Sequence, residues 1–370
     1  MRKALLFLFF IVVIISCKTN DEGYEVKGVI KGEDMALKDG VVYIQKANTK
    51  SVFDSTVIKR GRFKFIGKLE MPDKYLIFMK ELNYNIPIYL ENTKFRIEAF
   101  SDNLREAKVT GGLTQDLMNK TASKSQSVMT KYNLNYVLGE LVKPETDDEL
   151  RAKYSSIVNS ANREMKSFSD SLIAANPTSF YSLLNLYELV NVGDINELQN
   201  RLEIFENSSN FKGSSYLLKI RETIEKRKLL EPGRVAPDFT LLSLDESPVT
   251  FSEIYEKNKF TILIFWSSWS RESTQFCKDI GVNYSLYRKN GVEIVAITIG
   301  DIERNWREII RKENFSWIQL KESNQSTVSS VYNVQMIPHT ILVDTEGKII
   351  MNNNSVKEIV EYLEDNLQHK

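Results

Sequence analysis

From Tyr24 to about Gly112 the chain alternates apolar and polar residues in short runs separated by turn residues. The runs are Glu25-Val-Lys-Gly-Val-Ile30, Gly40-Val-Val-Tyr-Ile-Gln45, Arg62-Phe-Lys-Phe-Ile66, Tyr75-Leu-Ile-Phe-Met79, Ile86-Pro-Ile-Tyr-Leu90 and Phe95-Arg-Ile-Glu-Ala99. A period of two with turns between runs predicts an antiparallel β-domain over 24–112. From Thr114 to about Leu230 the period lengthens to three and four, as in Tyr154, Ile157, Val158, Ala161 and Met165. That spacing predicts a helical middle segment over 113–230, with helices near Phe180 to Val190, Ile195 to Phe205 and Ser214 to Leu230. Breaks are expected at Asn176-Pro177 and from Asn191 to Asp194.

The first residues follow neither pattern. Met1, Arg2 and Lys3 precede an apolar run from Ala4 to Ile15, which is too short to span a bilayer comfortably. The run ends in Ile14-Ile15-Ser16-Cys17, which resembles the lipobox of bacterial lipoproteins. The resemblance implies a lipoprotein signal peptide and lipobox over 1–17, with cleavage before Cys17, which is lipidated on sulfur and starts the mature chain. A polar tether follows at 18–23. Such a chain would be lipid-anchored to a bacterial membrane in the cell envelope, periplasmic or surface-exposed, each buried methylene contributing ~0.8 kcal/mol.

Composition narrows the classes further. With 370 residues, 42% apolar and 26% charged, the chain can form two or three globular domains. Lys and Arg total 49, as do Asp and Glu, so the basic face that nucleic acid requires is not expected. Only two cysteines are present, and the lipid anchor would consume Cys17, leaving Cys277 without an internal partner. Histidine is absent from the helical segment and its carboxylates are scattered, so neither a metal nor a cofactor is expected.

Within the β segment, the spacing of Asp54-Ser55, Gly61-Arg-Phe63, Leu90-Glu-Asn92 and Thr110-Gly-Gly112 resembles a β-sandwich domain of unknown role that precedes thioredoxin domains in envelope lipoproteins. Asp54, Ser55 and Glu91 read as turn and edge residues. In the helical segment Phe168, Phe180, Tyr181 and Tyr187 read as core. That segment reads as a spacer or an interaction module.

The third segment, 231–370, carries the longest resemblance. Glu231-Pro-Gly-Arg-Val-Ala-Pro-Asp-Phe-Thr-Leu241 is similar to the opening sequence of envelope thioredoxins related to TlpA and ResA, and of peroxiredoxins. An apolar run, Phe260-Thr-Ile-Leu-Ile-Phe265, leads into Trp266-Ser-Ser-Trp269-Ser270-Arg271-Glu272-Ser273, where those families have a tryptophan-rich turn and Cys-x-x-Cys. Gly291 to Thr298 fits the next parallel strand and Trp306 to Lys312 a helix. Val331 to Asp344 fits the cis-proline loop and its following strand. Glu346-Gly347 fits a hairpin turn, and Val356 to Leu367 a terminal helix. The resemblance implies an α/β thioredoxin-like fold. Glu246 departs from it, standing where a glycine turn is usual, and so do the serines at both cysteine positions.

Those serines carry the functional reading. Dithiol exchange is attack by a low-pKa thiolate, resolved by a second thiol, and a hydroxyl performs neither step. Ser270 reads instead as a helix N-cap and Ser273 as a polar residue of the first turn. Cys277 lies one turn deeper on the same helix face and reads as a small buried residue. The alternative is a thiol-disulfide oxidoreductase or peroxidase working through Cys277. A Ser270–His339 nucleophile pair lacks an acidic partner, and there is no G-x-S-x-G elbow. By the same resemblance, the turn bearing Trp269 and the loop Ile337-Pro338 form a groove for extended polypeptide. The expected function is that of a redox-inactive binding or scaffold module whose partner is an envelope protein or peptide.

Overall fold

A computed structural model describes residues 23–32, 40–81, 85–143, 146–322 and 328–367. The predicted signal peptide, Cys17 and all of the tether except Gly23 lie outside the described residues. Among the described residues no helix is long and apolar enough to cross a membrane. Contacts divide the chain into two compact units, 1–182 and 183–370, a division that falls inside the segment read as helical.

In the first unit the alternation becomes two-faced strands. They are β1 (Tyr24–Lys31), β2 (Val41–Lys46), β3 (Val52–Val57), β4 (Arg62–Gly67), β5 (Asp73–Phe78), β6 (Ile86–Leu90), β7 (Lys94–Phe100) and β8 (Lys108–Thr110). They form two four-stranded sheets, ordered β4-β1-β7-β8 and β3-β2-β5-β6. One apolar core takes Val26, Phe65 and Ile97 from the first sheet and Ile44, Ile77 and Ile88 from the second. The arrangement is not wholly antiparallel: β1 and β7 run parallel, with Val26 opposite Phe95. Five strands intervene in sequence between them, long enough a crossover to return the chain in the same direction.

Strand β3 escaped the period-two reading because it is an edge strand whose Val52, Phe53 and Val57 are all exposed. Asp54 and Ser55 therefore lie within an edge strand rather than a turn, and Asp54 accepts a hydrogen bond from the Tyr24 hydroxyl at 3.3 Å. Glu91 is not a turn residue in the expected sense either. Its two oxygens accept from the Thr114 hydroxyl at 2.5 Å and the Thr114 N–H at 3.3 Å, tying the sheet to the start of α1 (Leu113–Lys131). Two more helices follow, α2 (Leu134–Leu141) and α3 (Asp148–Ala175), the latter capped by Asp147 accepting from the Leu150 N–H.

The next helix, α4 (Phe180–Leu189), begins with Phe180 and Tyr181, both buried. Phe168 is half-buried, whereas Tyr187 is exposed and sets its ring edge-on to Tyr216 at 5.1 Å. Tyr187 thus falls outside the predicted core: spacing puts it on the same face as Leu183 and Leu184, but it lies in the last turn of α4, where Glu188 and Leu189 are exposed too.

The second unit continues with α5 (Ile195–Glu206) and α6 (Ser215–Leu229). It then builds a seven-stranded sheet ordered β10-β9-β13-β12-β11-β14-β15. Its strands are β9 (Thr240–Ser243), β10 (Pro248–Thr250), β11 (Phe260–Trp266), β12 (Val292–Thr298), β13 (Ile318–Lys321), β14 (His339–Asp344) and β15 (Ile349–Asn352). Every residue of β11 and β12 is buried, as continuous apolar runs require when both faces are covered. One face packs against α8 (Arg271–Gly281), α9 (Tyr284–Lys289), α10 (Glu303–Glu313) and α12 (Val356–Leu367). The other face packs against α7 (Phe251–Tyr255) and α11 (Val328–Val331). Glu246, in the β9–β10 turn, has φ 65°, a region that favours glycine.

Gly28 shows how tightly the first unit is packed. A Cβ there would come within 1.9 Å of the Phe63 ring, the residue opposite it in the β1–β4 pair. Gly28→Ala is expected to destabilise this unit by about 1–3 kcal/mol through overpacking. Urea unfolding followed by circular dichroism would measure it, and an unchanged midpoint would contradict the close approach.

Candidate functional site

Strand pairing brings the sequence-predicted site residues to one end of the second unit's sheet. Phe265 lies opposite His339 and Trp266 opposite Thr298, so the turn after β11, the loop after β12 and the loop before β14 emerge side by side. The turn is fastened from below. The Ser267 hydroxyl donates to the Ile299 carbonyl, and Ser268 donates from N–H at 2.8 Å and from Oγ at 2.5 Å to the Asp301 carboxylate. Thr298 donates to the same carboxylate. Sequence reasoning missed Asp301; the signal was a Thr-x-x-Asp step directly after a buried strand.

Beyond the fastening, Trp269 is 69% exposed and Ser270 opens α8. Ser270 Oγ accepts from the Ser273 N–H at 3.1 Å, and its hydroxyl reaches Glu272 at 3.4 Å. This satisfies one orphan donor of the helix start, and Glu272 favours the positive end of the helix dipole. Ser273 differs from its reading as a polar first-turn residue. It is completely buried, and its hydroxyl has no hydrogen-bond partner among the described residues. Its place on α8 faces the core shared with Cys277 and Ile280 rather than solvent.

Cys277 is fully buried, and burial pushes its thiol up to about 12. A thiolate is therefore scarce at neutral pH. The Ile337–Pro338 bond is cis, and both residues are half-buried beside the exposed Met336. His339 is largely buried, its ring 6.1 Å from that of Phe265. Burial lowers its pKa to about 4, with Asn352 partly opposing the shift. No hydrogen bond joins Ser270 to His339 among the described residues, since the Ser270 hydroxyl is engaged within its own helix turn. Nor do the described residues hold a cluster of His, Cys, Asp and Glu that could ligate a metal.

Comparison with known proteins agrees with this geometry. Residues 258–349 match a family model described as thioredoxin-like, and residues 24–118 match a domain of unknown function, DUF4369. Residues 258–349 thus form a thioredoxin-like domain, and curated proteins similar to it are named thiol-disulfide oxidoreductases. The thiol-disulfide oxidoreductase ResA of Geobacillus kaustophilus is 28% identical over 131 residues, 35% of this chain and 74% of that protein. ResA of Geobacillus thermodenitrificans is 28% identical over 135 residues, 36% of this chain and 76% of that protein. Among solved structures, the thioredoxin domain of a thiol-disulfide oxidoreductase from Bacteroides vulgatus is 23% identical with a TM-score of 0.35. It covers 38% of this chain and 99% of that one. A thiol-disulfide oxidoreductase from Bacteroides fragilis is 22% identical with a TM-score of 0.34, covering 36% and 99%.

The two serines predict opposite mutational signs. Ser270→Ala removes a cap and is expected to cost about 1 kcal/mol. Ser273→Ala removes a buried hydroxyl without a partner and is expected to be neutral or to stabilise by about 1 kcal/mol. All four tryptophans lie between 266 and 317, so the fluorescence of urea-treated protein reads this unit. Equal losses in both variants would refute the assignment.

His339 predicts a pH dependence. Below its ordinary pKa of 6.5 the unfolded chain takes up a proton that the folded one refuses until about 4. Stability is therefore complete above pH 6.5 and falls by about 3 kcal/mol as pH drops through that window. His339→Phe should flatten this part of the curve; a slope that survives the substitution would exclude His339 as its source.

Proposed function

We propose that this chain is a redox-inactive, lipid-anchored protein of the bacterial envelope that binds an extended segment of a partner protein through the mouth of its thioredoxin-like domain. One observation carries the reading: sulfur is missing where exchange chemistry needs it. Ser270 and Ser273 stand at the positions that the resemblance assigns to the cysteine pair, and the sulfur nearest in sequence, Cys277, is buried with a raised pKa. Without a thiolate no mixed disulfide forms, whatever the fold. The thiol-disulfide oxidoreductase activity for which the relatives are named therefore belongs, on this reading, to the ancestry of the site rather than to its present chemistry.

Binding does not require sulfur. Trp269 stands exposed at the end of β11, and Met336 stands exposed at the adjacent loop. Large apolar side chains presented beside irregular backbone suit an extended polypeptide that adds main-chain hydrogen bonds. The lipobox at Cys17 supports an anchor that keeps this mouth close to a membrane.

An insulin-reduction assay tests the chemistry. The wild-type chain should stay at the uncatalysed rate, and Ser270→Cys with Ser273→Cys should exceed the serine form by about tenfold or more. Repeated turnover by the wild type would reject redox inactivity. Photo-crosslinking from position 269 in cells tests the binding: partners captured there should be lost when Pro338→Ala is added, and an unchanged set would rule out the groove.

A further inference from the structure

Next to the mouth, on the Tyr332 face of the sheet, lies a cavity of about 680 Å³. Six amide side chains stand in its wall: Asn191, Asn333, Gln335, Asn352, Asn353 and Asn354. Several are held in place. Asn333 donates to Asn191 Oδ1 at 3.4 Å and accepts from Gln335 Nε2 at 3.0 Å, linking the loop after α4 to the loop before β14. Asn352 donates to the Leu230 carbonyl at 3.1 Å. Two neighbouring lining groups, His339 Nε2 and Asn352 Oδ1, are shielded from solvent, and the Asn352 side chain gives the imidazole a poorly aligned hydrogen bond. Val192, Met336 and Met351 add apolar surface.

The charge of the wall excludes one class of ligand. Arg227 donates to the Val190 and Gly193 carbonyls, each at 2.8 Å, and shares the lining with Asp194 and Glu231. One committed guanidinium against two carboxylates gives an anion no attraction. The start of β15 is already paired on its outer edge, with the Gly233 N–H on the Ile349 carbonyl and the Ile349 N–H on the Arg234 carbonyl, both at 2.7 Å, which leaves little edge for an added strand.

We propose that this cavity binds a compact, uncharged, multiply hydroxylated molecule, a neutral mono- or disaccharide unit. A hydroxyl both donates and accepts, which matches side-chain amides that offer one donor group and one acceptor. The methionine and valine surfaces cover the C–H faces of a sugar ring. The volume lies within the range that encloses small ligands.

Saturation-transfer NMR and calorimetry on the full chain test this, with maltose, cellobiose and chitobiose as probes and glucuronate as the anionic comparator. At least one neutral disaccharide should bind with a Kd below about 5 mM, and glucuronate should bind at least about tenfold more weakly. Asn352→Leu should weaken the neutral ligand about tenfold, and the exposed-rim variant Gln335→Ala about threefold or more. Gln335→Ala decides the matter if Asn352→Leu, which also loses its bond to Leu230, fails to fold. If no neutral saccharide binds below about 5 mM, the proposal is wrong. Equal affinity for glucuronate, or wild-type affinity in Gln335→Ala, overturns it equally.

Discussion

A strand that is buried on both faces and paired along both edges cannot slip by a residue without exchanging its contacts everywhere at once, and β11 is such a strand. Its pairing with β12 and β14 sets where three loops leave the sheet. That single register places Trp269, Asp301 and the cis-proline loop at one end, and it turns Phe265 and His339 toward the face where the amide-lined cavity opens. Side chains at the mouth therefore inherit their positions from a core that contains none of them.

Given that frame, the chemistry of the mouth turns on a difference between two elements. A thiol at a helix start ionises near neutrality because the helix dipole and its N–H groups favour the anion. A hydroxyl in the same place stays neutral and accepts an N–H instead, as Ser270 does with Ser273. The same backbone that would activate sulfur uses oxygen as a cap. The one remaining thiol of this helix faces the opposite influence: Cys277 meets apolar side chains from the sheet, which raise its pKa rather than lower it.

Much of this was legible in the sequence because it is carried by periodicity. The alternation in Tyr24 to Ala99 marks residues with one wet and one dry face, and the unbroken runs at Phe260 and Gly291 mark strands with two dry faces. What escaped was set by partners distant in the chain. β3 has no dry face to display, Glu91 acquires its role from Thr114, and Tyr187 looks apolar in sequence yet packs at the surface against Tyr216. Asp301 shows in sequence only as a Thr-x-x-Asp step; its role comes from the register that brings it under Ser268. The amide cavity is the extreme case, since its wall is drawn from residues more than a hundred positions apart.

Ser273 holds the most telling disagreement between residue and environment. Its position has no exposure and offers the hydroxyl no partner, a setting that costs an oxygen about 1–3 kcal/mol. Sulfur would not incur that cost, because a thiol is a weak donor and behaves in cores as a small apolar group. The pocket around position 273 is thus better suited to the cysteine of the resembling families than to the serine it contains. Ser270, by contrast, is fully employed as a cap. One replacement fits its surroundings and the other does not, as the proposed reading of a scaffold shaped for a thiol pair requires.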